Sequence, residues 1–557
     1  MHSDAVIAIA ASADAEALMH EIYGGEMGYL PWLRPGFDLG LMLRDLIAAN
    51  PGITSALMGQ HGFINWADTW EECYAGTIRQ INQAEEFLAK RRTVHPFGEV
   101  VGKRAENPRQ RLLNLLPELR GKVAFEGQRL IASVDTSEPV LDFLEREKAD
   151  ALTALGTSCP DHFLRTKIRP LVLNEGDDLD AKLADFRKGY GEYYDRCKHA
   201  DSPAMRNPNP SIVLIPGVGM VSFGKNAQEA KVAGQFYRNA IEVMRGAETV
   251  SKYVALPEQE AFNIEYWLLE EAKLKRQPAE KEMARQIALV IGAGPGIGGS
   301  IAERLLDQGA CVVVSDVNET LVTQAVERLS AKYGELVIGG EVLNKTDRDS
   351  VRKALEGVVL RFGGLDVLID IAAVFIPPDL EGRLTDAQWS KTYEINLVGT
   401  YIVADEAHKI MARQGTPGKI VLVSSANAIV SKKGSVAYDT SKAAVNHLVR
   451  ELAVEYAPLV RVNAVAPATV VSGSQMFPRD RVMSSLAKYN IPFDESESDD
   501  ALRDKLALFY AQRTLLKQPV TPATVSYGAY LLATDRLPQT TGHVIPVDAG
   551  LAEAFLR

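Results

Sequence analysis

Residues 287–316 read IALVIGAGPGIGGSIAERLLDQGACVVVSD. Five apolar residues end at Ile291, a glycine-rich bend follows, SIAERLLDQG has the 3.6-residue apolar period of a helix, and CVVVS is a second apolar run. That order is a βαβ unit, in which a right-handed crossover covers both faces of a parallel sheet. Further strands are expected around Leu336–Val342, Val367–Ala372, Ile420–Ser424, Arg461–Val465 and His543–Val547, with helical stretches between them. The sequence therefore predicts an α/β chain whose C-terminal part, 281–557, is a doubly wound parallel sheet.

Within the bend, Gly292, Gly296 and Gly298 relieve crowding where strand turns into helix. A dinucleotide pyrophosphate can then approach the helix N-terminus, with Ile297 among the expected cofactor-binding residues. Asp316 ends the second apolar run at the spacing suited to the adenosine ribose hydroxyls, where a 2′-phosphate would face a carboxylate. Ala293 and Val317 bring no compensating cation, so the expected cofactor is NAD(H) rather than NADP(H).

Downstream, YDTSK places Tyr438 and Lys442 four residues apart, on one face of a helix, and Ser425 follows the apolar run IVLVS. Together these motifs resemble the classical short-chain dehydrogenase/reductase family over about 265 residues. The resemblance rests on Gly292–Gly298, Asn396 in YEINLVG, Ser425 in LVSS, Tyr438 and Lys442 in YDTSK, and Pro467 in RVNAVAP. It implies that Tyr438 is the acid/base, that Lys442 lowers its pKa and binds the nicotinamide ribose, and that Ser425 orients the substrate oxygen. It further implies that Asn396 supports a water-linked proton path, Asp347 contacts the adenine ring, and Thr469, after Pro467, contacts the nicotinamide amide. Such roles agree with elementary chemistry, since a phenol of pKa near 10 needs a neighbouring ammonium to act as a base at neutral pH.

One departure from the family is visible. Where an Asn-Asn-Ala-Gly turn is common, this chain has Asp370-Ile371-Ala372-Ala373, so the loop beside the cofactor is expected to take a different shape. The stretch from Ala468 to about Gln518, with MFPRDRVMSS and the acidic FDESESDD, has low periodicity and is expected to be an exposed, mobile substrate lid.

Residues 1–280 form a different block. Helical periodicity marks Leu41–Ile47 and Tyr74–Ala89, while ITSALMGQHGFINW reads as a strand and turn. A polar connection near 98–112 leads to SIVLIPGVGMVSFG, a strand entering a glycine bend, and then to helices over NAQEAKVAGQFYRNAIEVMR and Ala261–Lys275. KRQPAEKE is the expected hinge. His2-Ser-Asp-Ala, Pro31-Trp32, Arg34-Pro35-Gly36 and Gly59-Gln-His61-Gly62 resemble the class II aldolase/adducin family. Gly156–Lys167 and Pro216–Gly219 extend that resemblance, so the whole chain resembles the bifunctional rhamnulose-1-phosphate aldolase/lactaldehyde dehydrogenase fusions, with the beginning of the aldolase missing. The resemblance implies a divalent metal such as zinc, with His2 and His61 as candidate ligands; a further histidine and the acid/base residue would lie upstream of Met1. Three readings follow: an NAD-dependent oxidoreductase for a small hydroxylated aldehyde or sugar-derived alcohol such as lactaldehyde, a metal-dependent sugar-phosphate lyase feeding it, or a structural N-terminal half.

A net charge of −11 gives no reason to expect nucleic acid or an anionic membrane as partner. No apolar run reaches the roughly 20 residues of a membrane span, and the N-terminus has no basic leader. Cys73, Cys159, Cys197 and Cys311 are far apart, as suits a reducing cytoplasm. The family resemblance also implies a homo-oligomer, with Tyr401–Met411 and Ala443–Leu452 as candidate interface helices.

Overall fold

The computed structural model describes residues 1–91, 95–379, 381–474 and 476–555. It divides into two compact units, Met1–Leu112 with Val123–Ala279, and Leu113–Lys122 with Glu280–Arg557.

The second unit is built on seven strands: β1 Ile287–Ile291, β2 Cys311–Asp316, β3 Ile338–Val342, β4 Val367–Asp370, β5 Gly418–Val423, β6 Val460–Pro467 and β7 Val544–Val547. Their order in the sheet is β3-β2-β1-β4-β5-β6-β7, and every pairing is parallel. The five residues of β1 are all buried, as a central strand with helices on both faces requires. Strand order reverses between β1 and β4, where the chain returns past its start; in such sheets ligands bind in the crevice beyond the strands' carboxyl ends.

Helices α1 (Ile297–Asp307), α2 (Glu319–Tyr333), α3 (Arg348–Phe362), α4 (Asp386–Tyr393), α5 (Thr400–Gln414) and α6 (Val436–Tyr456) intervene. Their ends are chemically marked. Asn318 and Asp347 cap α2 and α3 by accepting from Thr320 N and Asp349 N, both at 3.0 Å. Gly363 and Gly415 end α3 and α5 in the left-handed conformation.

The segment expected to be an exposed lid is instead largely helical: α7 (Arg479–Lys488) and α8 (Asp499–Ala511) enclose a core of Val471, Phe477, Val482, Leu486, Leu502 and Leu506. Each helix is short, and in α8 the apolar residues run together from Leu506 to Ala511, which hides the helical period. The acidic run Asp494–Asp500 lies on the outside, as expected, and its charges pair with Arg479, Arg503 and Lys505.

In the first unit, Met27–Leu30, Ser55–Met58 and Gly62–Asn65 form one sheet, and Ile131–Asp135, Gly219–Gly224, Ile212–Ile215 and Leu171–Val172 another. The two stretches expected to be a strand with a bend are both antiparallel hairpins. Long helices Trp70–Arg91 and Ala227–Val250 extend beyond their predicted limits. The single helix expected over Ala261–Lys275 is two, Glu258–Glu265 and Leu268–Lys275. The break falls where Tyr266 buries its ring against Phe262 (centroids 4.5 Å apart) and hydrogen-bonds Tyr190 at 2.7 Å. Trp267 is then extended, the conformation of an N-cap.

Candidate active site

The glycine turn after β1 is fixed by sterics. Gly292 has φ +104°, which only glycine adopts without strain, and its N–H donates to Ser315 O at 2.7 Å. A Cβ on Gly298 would stand 1.8 Å from Gly292 O, and one on Gly296 would stand 2.5 Å from Gly473 O. The turn therefore holds the N-terminus of α1, at Ile297, close under the strand end, where its free N–H groups form a cradle for phosphate. Asp316, the last residue of β2, points its carboxylate along the same edge and accepts from Asn318 N at 3.0 Å. Asp347 is on that edge too, and its Oδ1 caps α3.

Tyr438 and Lys442 lie on the first turns of α6. Asp439 fixes the approach to this helix: it accepts from Asn427 Nδ2 (2.8 Å), Ser435 Oγ (2.6 Å) and Lys432 N (3.1 Å), tying the segment after β5 to the helix start. Ser425, two residues past β5, is thereby brought beside the Tyr438 phenol, close enough to lower its pKa. Burial pushes the phenol up to about 12; Ser425 opposes the shift, Asp439 adds to it, and Arg481 opposes it. Phe375 meets the Tyr438 ring edge to face, with centroids 5.6 Å apart.

Lys442 is fully buried, donates to Val423 O at 2.9 Å and sits 5.7 Å from the Tyr438 ring centroid. Burial, reinforced by the neighbouring Lys345, pushes its ammonium down to about 7, while Asp370 opposes them. Lys442 is thus itself depressed, and Ser425 and Arg481 lower the phenol.

Asn396 lies in a π-helical stretch, Glu394–Gly399, a distortion frequent at functional positions. Its side chain accepts from Val374 N at 2.8 Å and donates to Val374 O at 2.9 Å and Ser441 Oγ at 3.2 Å. It clamps the loop after β4 to α6. Pro467 closes β6, and Thr469 lines a cavity with Lys432, Ala468, Tyr510, Arg513 and Leu551.

Four residues escaped the sequence reading. Asp370, at the family's Asn position, is buried and accepts from Lys345 Nζ and from Thr400 Oγ1 at 3.0 Å; Lys345 also donates to Ala372 O at 2.9 Å. The fourth is Arg481, whose guanidinium lies over the Phe375 ring at 4.5 Å. The reshaped loop expected from Asp370-Ile-Ala-Ala is thus organised by a buried ion pair, and neither Ala372 nor Ala373 has positive φ. The Lys345–Asp370 pairing had no local signal, because its partners are 25 residues apart.

His2 and His61 come together in the first unit, with stacked rings 5.1 Å apart and 25° from coplanar, beside Trp32. Stacking turns ring faces toward each other. Among the described residues no group of three His, Cys, Asp or Glu side chains that could hold a metal ion is present. Nor, among the described residues, is any helix long and apolar enough to cross a membrane.

The parallel sheet with a glycine cradle and a Ser-Tyr-Lys cluster at its carboxyl edge defines an NAD(P)-dependent short-chain dehydrogenase/reductase. Residues 286–481 match the short chain dehydrogenase family, and residues 110–274 match the second domain of class II aldolase. The whole chain belongs to the same family as the uncharacterized oxidoreductase YuxG of Bacillus subtilis (strain 168): it is 32% identical over 574 residues, spanning all of this chain and 81% of that protein. Over 273 residues it is 28% identical to the 3-oxoacyl-acyl-carrier-protein reductase FabG of Aquifex aeolicus (strain VF5), covering 49% of this chain and 99% of the relative. It is also 37% identical over 185 residues to cis-4-hydroxycyclohexanecarboxylate dehydrogenase of Sinomonas cyclohexanicum, covering 33% of this chain and 73% of that enzyme.

Proposed function

We propose that the second unit interconverts a small hydroxylated alcohol and its carbonyl compound with NAD(H), lactaldehyde or a sugar-derived alcohol being the substrate that the sequence resemblance favours. The observation that carries this reading is the meeting of Ser425 with the Tyr438 phenol, on a helix that also holds the buried Lys442. Ser425 and Tyr438 orient the substrate oxygen. Tyr438 takes the hydroxyl proton in oxidation and returns a proton to the developing alkoxide in reduction. The nicotinamide, when bound, supplies the two-electron hydride chemistry. Lys442 holds the cofactor ribose, and a bound dinucleotide's partners would bring its amine back toward the charged form. Asn396 keeps the floor of the site rigid through Val374 and Ser441. The reading extends to a homo-oligomer, supported by the exposed Tyr401 on α5 and Val454 on α6. No reaction is assigned to the first unit, whose two stacked histidines lack a third candidate ligand among the described residues.

Asp316 makes NAD(H) the preferred cofactor, because its carboxylate accepts ribose hydroxyls and repels a 2′-phosphate. Competitive titration of NADH against NADPH should show at least tenfold tighter NADH binding, about 1.4 kcal/mol. Asp316→Ala should narrow that gap; a preference of the unaltered chain for NADPH would overturn the cofactor assignment.

A further inference from the structure

Three arginines sit on the α7–α8 helical pair, and they are treated differently. Arg479 pairs with Asp499 at 2.6 Å, and Arg503 lies 3.5 Å from Asp500. Arg481, two residues from Arg479 and so on another side of the helix, makes no ion pair among the described residues. Its Nη1 donates to Met476 O at 2.7 Å, and its guanidinium is sandwiched over two rings, Phe375 at 4.5 Å and Phe477 at 4.9 Å. Phe375 is the ring that meets Tyr438 edge to face, so one aromatic side chain touches both the acid/base phenol and this cation.

Holding a half-buried guanidinium against apolar rings without a carboxylate is costly, and burial draws its pKa down. Of the acids nearby, Asp480 acts on Arg481 only through space and is exposed, Asp439 accepts three hydrogen bonds, Glu553 pairs with Arg513 at 2.8 Å, and the acidic run faces outward. Lys432, which lines the cavity beside Thr469, likewise makes no ion pair among the described residues.

We propose that the substrate of the Tyr438 site carries an anionic group, a carboxylate or a phosphate, which Arg481 binds while Tyr438 and Ser425 hold the reacting oxygen. The planar fork of Arg481 suits two oxygens of such a group, and the stacked rings fix its orientation. This rests on the oxidoreductase reading of the same site and narrows its substrate to a sugar-derived alcohol bearing an acid or phosphate group, in place of lactaldehyde. Arg481 thus selects substrates.

Matched pairs test the proposal with the full chain and NAD: 3-hydroxybutyrate against its methyl ester for the carboxylate arm, and glycerol 3-phosphate against glycerol for the phosphate arm. In at least one arm the anionic member should have a kcat/KM ten or more times that of its neutral partner. Arg481→Gln should collapse that ratio at least tenfold, chiefly through KM of the anion, and Arg481→Lys should restore part of it. The arm showing the ratio identifies the anion. Binding is read independently by the thermal shift of the NAD-loaded chain with acetate and with inorganic phosphate. One of these should stabilise the unaltered chain and Tyr438→Phe, but not Arg481→Gln. Neutral members turned over as well as anionic ones, or, where no pair reacts, no anion-dependent shift, would overturn the assignment of Arg481 and leave the redox reading standing. Turnover unaffected by Tyr438→Phe would instead overturn the redox reading.

Discussion

Lys442 shows how function is bought against stability at a single residue. Its amine is fully buried, and its carbonyl partner, Val423 O, is neutral. The folded-state pKa, about 7, lies below the ordinary 10.5, so in this window the unfolded chain binds the extra proton. The resulting cost to folding is full below about 7 and fades as pH rises toward 10.5. Lys442→Met should therefore raise the stability of the cofactor-free chain by about 1–3 kcal/mol at pH 7, by analogy with apolar replacement of buried charges. Equilibrium urea unfolding at pH 7 and pH 9.5 checks this, and the gain should be smaller at the higher pH. A gain that grows with pH would contradict the assignment. At this scale the sequence revealed the residues whose spacing is local: Tyr438 and Lys442 share a helix face, and Gly292 and Gly298 share one turn. Lys345, Asp370 and Arg481 were silent because their roles arise only when strand ends and distant helices meet.

Among the elements, the helix Pro108–Lys122 was the least legible, since its first residues sit in a polar connection and it carries an internal proline, Pro117. Its last ten residues count with the second unit. There Arg120, 1% exposed, reaches Asp366 with two bonds of 2.9 and 2.7 Å. Asp366 also accepts from Ile287 N at 2.8 Å and from Gln414 Nε2 at 2.9 Å. The next residue, Gly121, has no room for a side chain, because a Cβ would stand 1.7 Å from Gln414 O. This cluster joins the amino ends of β1 and β4, opposite the edge that carries the site. Arg120→Met should destabilise the second unit by about 3–5 kcal/mol, because it leaves the Asp366 carboxylate buried without its cation. The urea midpoint of that unit's transition measures the loss, and an unchanged midpoint would show the pair to be dispensable. Where apolar period acts locally, as in β1 and α1, sequence and structure agree closely. They part at Tyr266, where an aromatic stack breaks the helix, and at α7–α8, where a small separate core forms.

At the scale of the whole molecule, the sequence disclosed a doubly wound C-terminal sheet and a mixed α/β N-terminal region, and both are present. The order of strands follows from the crossover rule, whereas the antiparallel hairpins of the first unit depend on pairings that periodicity does not encode. The central claim is that Tyr438 transfers the proton in a nicotinamide-dependent oxidation or reduction. Tyr438→Phe keeps the aromatic ring against Phe375 and removes only the phenolic oxygen. Steady-state turnover by this variant, with cofactor binding and folding verified on the same preparation, should fall by roughly 10²–10⁴-fold while NADH affinity stays within about threefold. Near-normal turnover by a folded, cofactor-binding Tyr438→Phe would contradict the account.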